Sequence, residues 1–210
     1  MKVAVINEVS AKEKNDDIIE ALKKTPNEVF NVGMKNGENT VEFTYIHTGL
    51  MAATLLNLGS VDLVVGGCGT GQGFMLSVMQ YPKVFCGLVI DPLDAWLFSQ
   101  INGGNCISLA LNKGYGWAGN FNLEYIFEKL FKDTFGTGYP PARQISQRES
   151  REKLSTLSDI THKDFKEILA NIDDKIKDAI FSHKPFVDLI KKATNTDLLN
   201  WIQNNCLGSL

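Results

Sequence analysis

Short apolar runs alternate along the chain with longer segments whose apolar residues recur every three or four positions, up to about residue 136. Residues 2–6, 28–32, 61–66, 84–90 and 106–109 have the first pattern and read as strands. Residues 45–58, 73–81 and 122–135 have the second and read as helices. A further helix over 10–24 is announced by the capping-box spacing Ser10-Ala-Lys-Glu13 and carries Ile18, Ile19 and Leu22 along one side. Another opens at Asp91-Pro92, because proline suits the first helical position. Asn36-Gly37 marks residues 34–43 as a loop. Strands alternating with helices imply a parallel sheet covered on both faces. Ligands of such sheets sit beyond the carboxyl ends of the strands, and Glu8, Cys68, Asp91 and residues 102–105 are read as lying at or near such ends.

Beyond residue 136 the pattern changes. The segment GTGYPPAR, residues 136–143, is rich in breakers, and charged helix-like segments follow it. Thr161-His-Lys-Asp164 caps one of them, with Phe165, Ile168, Leu169, Ile172 and Ile176 on its apolar face. The chain therefore divides into an α/β core over 1–136 and a helical extension over 137–210. The extension serves as a dimerisation element or lid, or else folds back on its own core.

Composition narrows the function classes. The 210 residues are 44% apolar with a formal net charge of −3 and no basic run, which argues against nucleic-acid or anionic-membrane partners. No apolar run approaches the roughly 18 residues a bilayer span needs, and the N-terminus passes straight into a strand pattern without a signal-peptide core. Four cysteines, Cys68, Cys86, Cys106 and Cys206, are widely spaced without a CxxC pair. That is the usage of a reduced, cytoplasmic protein rather than of a disulfide frame or zinc site. His47, His162 and His183 are too dispersed to suggest a metal cluster.

The candidate chemistry lies in VDLVVGGCGTGQG, residues 61–73. A strand passes into alternating glycines, Gly67, Gly69, Gly71 and Gly73, interleaved with Cys68 and Thr70, and then into a helix. This order sets backbone N–H groups at a helix N-terminus, where about half an elementary positive charge favours an anion. It also displays Cys68 where a thiol pKa can fall below its free value of about 8.5. Every frame of G-x-G-x-x-G fails here, and neither a P-loop nor a G-x-S-x-G elbow occurs.

GGCGTGQG, followed 33 positions after its cysteine by INGGNCISL, resembles the ribose-5-phosphate isomerase B and galactose-6-phosphate isomerase family. That family carries C-G-T-G-x-G after its third strand and H-N-D-x-N before its fifth. The resemblance covers roughly residues 1–150. It implies a Rossmann-like three-layer sandwich with a five-stranded parallel sheet, no cofactor, no metal, and a homodimer or homotetramer whose site is completed across the dimer interface. The implied reaction interconverts the aldose and ketose forms of a pentose or hexose phosphate through an enediolate. By the same resemblance Cys68 is the base, Thr70 assists ring opening and Asn102 steadies the enediolate. Gly69, Gly71 and Gly73 offer backbone donors, and Glu8, Tyr45 and Arg143 bind substrate.

The departures are specific. The motif histidine is Ile101, which cannot shuttle a proton. The aspartate–histidine pair after the first strand is Glu8-Val9, and the acid before Tyr45 is Thr44. His47 keeps the family's histidine, as a site residue or a surface one. Of the two phosphate-binding arginines, Arg143 remains and the other is Tyr139; Arg148 or Arg151 is a candidate replacement, or a solvated side chain. Asp91 and Asp94 are caps or substrate contacts. Trp96, Trp117 and Tyr115 form a sugar-stacking wall or pack in the core or an interface. These losses leave two rivals in view, a non-catalytic sugar-phosphate-binding protein on the same scaffold and an isomerase of an unphosphorylated sugar.

Overall fold

The computed structural model describes residues 1–37 and 41–207. The loop expected over 34–43 therefore falls partly outside the described residues. Five strands, β1 (Lys2–Asn7), β2 (Glu28–Asn31), β3 (Leu63–Cys68), β4 (Cys86–Val89) and β5 (Cys106–Ala110), form an all-parallel sheet in the order β2-β1-β3-β5-β4. This is the expected three-layer α/β sandwich.

Side chains alternate across the sheet, as strand geometry requires. Val3, Val5, Leu63, Val65, Ile107 and Leu109 face a layer made by α1 (Asn15–Lys23), α4 (Pro92–Leu97) and α5 (Gly119–Leu130). Ala4, Ile6, Val64, Cys68 and Cys106 face the other layer, led by α2 (Tyr45–Leu58) and α3 (Gln72–Val78). α2 is apolar around its circumference and buried over most of its length, the mark of a helix covered on more than one side. Its outer cover comes from the C-terminal segments α7 (Phe165–Asn171), α8 (Asp174–Phe181), α9 (Lys184–Ile190) and α10 (Thr196–Asn205). Their Leu169, Ile180, Phe186, Ile190 and Ile202 join the same core cluster. The residues after 164 thus fold back onto this core. α6 (Gln144–Thr161) differs: Ser158 is its buried residue, while Ile145, Leu154, Leu157 and Ile160 are exposed.

Two elements depart from the sequence reading near the glycine loop. β3 does not stop at residue 66 but runs through Gly67 to Cys68, which pairs with Ala110. Gly66 and Gly67 are strand residues because nothing larger fits. A Cβ on Gly66 would sit 2.1 Å from the Phe74 ring, and one on Gly67 would sit 2.6 Å from the Leu109 carbonyl oxygen. The helix expected over 10–24 is split into a 3-10 turn, Val9–Lys14, and α1. The cap is Glu8, whose carboxylate accepts the Ser10 N–H; Ser10 does not act as the N-cap because its hydroxyl is engaged elsewhere.

Gly66→Ala should destabilise the fold by overpacking, by about 1–3 kcal/mol. Urea unfolding checks this, and an unchanged midpoint would show that Phe74 yields freely.

Candidate active site

The first cluster of expected residues stands at the carboxyl ends of β1 and β3. Glu8 is 4% exposed, and its Oε1 accepts both the N–H of Ser10 (3.0 Å) and the Ser10 hydroxyl. The Ser10 Oγ in turn accepts the Gly69 N–H at 3.0 Å. From the other side Asn112 donates its amide to the Ser10 carbonyl at 2.8 Å, while the N–H groups of Asn112 and Lys113 reach the Gly69 carbonyl at 3.0 and 2.8 Å. The turn after Cys68 is therefore held between the loops that follow β1 and β5. Behind it, Asn15 donates to Asn7 Oδ1 (2.9 Å) and Asn31 Oδ1 (3.0 Å), joining the end of β1 to α1 and β2.

Within the turn, Cys68 Sγ lies 3.9 Å from Thr70 Oγ1, and Thr70 Oγ1 accepts the Gln72 N–H at 3.3 Å. Cys68 is 6% exposed and belongs to the core cluster that faces α2 and α3. Gly71 caps α3 in the left-handed region, φ 74°, where a Cβ would also press on the backbone of Ala110 at 3.1 Å. The expected row of glycine donors is only partly available. The Gly69 N–H is bonded to Ser10 Oγ and the Gly71 N–H to the Cys68 carbonyl at 3.3 Å. Gly73 lies in the first turn of α3, where an N–H has no carbonyl ahead of it in the helix. The exposed Tyr45 ring lies over it, 3.1 Å from where a Cβ would stand. His47 is a cap rather than a loose site residue. Its Nδ1 accepts the Thr44 N–H at 3.2 Å, and burial lowers its pKa from 6.5, favouring the neutral ring that this bond needs.

Asn102 and Arg143 stand elsewhere. Asn102 ends a π-helical turn, Phe98–Asn102, that precedes β5. Because β5 runs parallel to β3, with Val64 level with Cys106 and Cys68 level with Ala110, residues before β5 lie at the amino end of the sheet. The reading that put residues 102–105 near a carboxyl end is overturned. The strand length from Val64 to Cys68 alone is about 13 Å. Asn102 instead lines a cleft of about 580 Å³ together with Ile101, Cys86, Arg143, Gln147 and Arg151. Arg151 is neither solvated nor spare: its guanidinium donates to the Ile101 carbonyl at 2.9 Å and the Gly136 carbonyl at 2.6 Å, bracing the motif. Arg143 is exposed, with Nε donating to Ser146 Oγ at 3.2 Å. Asn105 is structural, holding the Phe85 N–H at 2.9 Å and the Lys83 carbonyl at 2.8 Å.

The remaining candidates resolve simply. Asp91 caps α4 through the Asp94 N–H at 2.9 Å, and Asp94 accepts the Ile90 N–H at 3.1 Å. Trp96 bonds Asp133 and packs on Tyr139, Tyr115 bonds Asp17, and Trp117 is fully exposed, so they build no common wall. Among the described residues no His, Cys, Asp and Glu group could hold a metal ion, and no helix is long and apolar enough to cross a membrane. Sequence reasoning missed Ser10, Asn112 and the bracing role of Arg151. Glu8 and Ser10, two apart, hinted at a local turn; nothing local signals a contact with Gly69.

A family model described as Ribose/Galactose Isomerase matches residues 3–146. No curated protein matches the chain. A solved 4-deoxy-L-threo-5-hexosulose-uronate ketol-isomerase, complexed with a tartrate, is 40% identical with a TM-score of 0.93, over 97% of this chain and 98% of that one. A ribose-5-phosphate isomerase from Vibrio parahaemolyticus is also 40% identical, with a TM-score of 0.92 over 97% and 98%. The Trypanosoma cruzi type B ribose 5-phosphate isomerase, 17% identical with a TM-score of 0.64, covers 76% of this chain and shares the fold.

Ser10→Ala should lower stability by about 1–3 kcal/mol, because it strips a buried carboxylate of one donor; urea unfolding checks it. For His47 the depressed folded pKa means that the unfolded chain takes up its proton first. Its contribution is present above pH 6.5 and is lost as the pH falls from there toward the folded value. His47→Gln should flatten that part of the stability–pH curve in thermal melts at pH 5 to 8.

Proposed function

The chain belongs to the ribose/galactose isomerase family and is a sugar isomerase, and on that premise we propose that it interconverts the aldose and ketose forms of an anionic sugar with Cys68 as the base. The observation that carries this reading is the clamped turn: a thiol beside a hydroxyl, Cys68 and Thr70, where β3 gives way to α3. In the proposed step the Cys68 thiolate removes the proton from the carbon beside the carbonyl, and an enediolate forms. The hydroxyl proton passes from one enediolate oxygen to the other, and the thiol then returns its proton to the neighbouring carbon. The exchange is balanced in protons and calls for no electron acceptor. Thr70 serves the hydroxyl chemistry of ring opening, and the first turn of α3 at Gly73 faces the developing negative charge. Glu8 orients the turn through Ser10 rather than touching the reacting carbons.

Asn102 and Arg143 take part only if they come from a second copy, because a strand length separates them from Cys68 in their own chain. We propose a homodimer in which the cleft of one copy faces the cysteine turn of the other. The exposed apolar side chains of α6, which lie beside that cleft, support this arrangement.

The substrate expected from the resemblance is a pentose or hexose phosphate. Two observations favour the same reaction on a sugar carboxylate. Arg143 stands without the second arginine, Tyr139 being packed on Trp96, and one guanidinium matches a carboxylate in a bidentate pair. Ile101 removes the ring-opening histidine, a loss an open-chain keto-acid tolerates. A relative matched over almost its whole length is named for a hexosulose uronate.

Assays on sugar phosphates and uronates in deuterated water, with deuterium at the carbon beside the carbonyl as readout, test the reading. Exchange supports the isomerase and ranks the substrates; binding without exchange returns the non-catalytic rival. Cys68→Ala should reduce turnover by about 10²–10⁴-fold, the share of a positioned base, with an unchanged fold by circular dichroism. Mixing inactive Cys68→Ala and Arg143→Ala chains should restore about a quarter of wild-type activity, since half of the dimers then hold one intact site. No recovery would confine the site to one chain.

A further inference from the structure

Two thiols outside the proposed isomerase chemistry stand side by side on neighbouring strands of the sheet. Cys86 and Cys106 are register partners on β4 and β5. Neighbouring strands lie roughly 4.8 Å apart, within the Cα separation of about 4.4–6.8 Å that a disulfide spans. Both side chains are on the face covered by α2 and α3, and each thiol lies 3.9 Å from a backbone carbonyl of its own strand, Gly87 for Cys86 and Ile107 for Cys106. Asn105 holds the approach to β4 against β5 through Phe85 and Lys83, so the pair has little freedom to separate.

The two sulfurs have unlike surroundings. Cys106 is fully buried, and burial together with its Cys86 neighbour pushes its thiol well above the ordinary range. Cys86 is half-buried and lines the cleft that also holds Asn102 and Arg143. An opening that admits a sugar admits a peroxide. Both cysteines are in the free thiol form.

We propose that Cys86 and Cys106 form an oxidisable dithiol, in which Cys86 meets a peroxide entering the cleft and Cys106 resolves the product as a cross-strand disulfide. The Cys86 thiolate attacks one oxygen of hydrogen peroxide and the O–O bond breaks. The departing hydroxide takes a proton and leaves as water, and Cys86 becomes a sulfenic acid. The Cys106 sulfur then attacks the Cys86 sulfur, the S–S bond forms, and the sulfenic hydroxyl leaves with the Cys106 proton as a second water. The two sulfurs lose two electrons and the peroxide gains them. A bridge between directly opposed parallel strands is held in a constrained geometry, and constrained disulfides are the readily reduced, reversible ones.

The test uses the full wild-type chain and reads mass rather than isomerisation, so it stands apart from the assignment of Cys68. Protein treated with hydrogen peroxide is alkylated and peptide-mapped. The expected product is a disulfide between the Cys86 and Cys106 peptides, lost on treatment with dithiothreitol. In Cys106→Ala, which circular dichroism shows to be folded or not, the oxidant should stop at a sulfenic acid on Cys86 trapped by a dimedone reagent. In Cys86→Ser, Cys106 should remain fully alkylatable after denaturation. The proposal is overturned if wild-type Cys86 and Cys106 both stay reduced while Cys68 or Cys206 is oxidised, or if Cys106 is oxidised without Cys86.

Discussion

The Ser10 hydroxyl joins two requirements that would otherwise conflict. A carboxylate as buried as Glu8 must be given hydrogen-bond donors, and a glycine turn must be given a reason to hold one shape. Ser10 donates to Glu8 and accepts from Gly69, so one side chain answers both. Because β1 and β3 are neighbours in the sheet, their carboxyl ends are already side by side, and the bond needs no extra span of chain. Asn112 then ties the loop after β5 to the same point, which joins the loops after β1, β3 and β5 beside Cys68.

The amino end of the sheet is organised by a different device. There the backbone of the Ile101–Asn102 turn is carried by the Arg151 guanidinium, whose planar fork spans two carbonyls. Arg151 belongs to α6, so the position of that turn depends on a helix outside the sandwich. The two ends of the sheet thus have separate supports, hydroxyl and amide at one and guanidinium at the other.

Much of this was legible in the chain. The strand and helix periods gave the parallel sheet, and α2 was bounded correctly because its apolar run ends in Gly59, a left-handed cap at φ 63°. The cysteine turn was visible as a motif. What was not legible depended on partners distant in sequence. Gly66 and Gly67 look like loop residues until the Phe74 ring and the Leu109 carbonyl are seen against them. Ser10 looks like a helix cap because its true partner is 59 residues away. The placement of Asn102 was misjudged for a simpler reason: its motif precedes a strand, and in a parallel sheet that fixes the amino end regardless of what the residues are.

The covering of α2 by α8, α9 and α10 has a consequence for any shortening of the chain. The Trypanosoma cruzi protein shares the fold and matches 76% of this chain. In this chain the composition of α2 presupposes the later helices. Trimming those helices away would bare a greasy cylinder to solvent and leave a particle prone to clump. The greasy circumference of α2 and the helices that sheathe it therefore form one unit, and neither is readily altered alone.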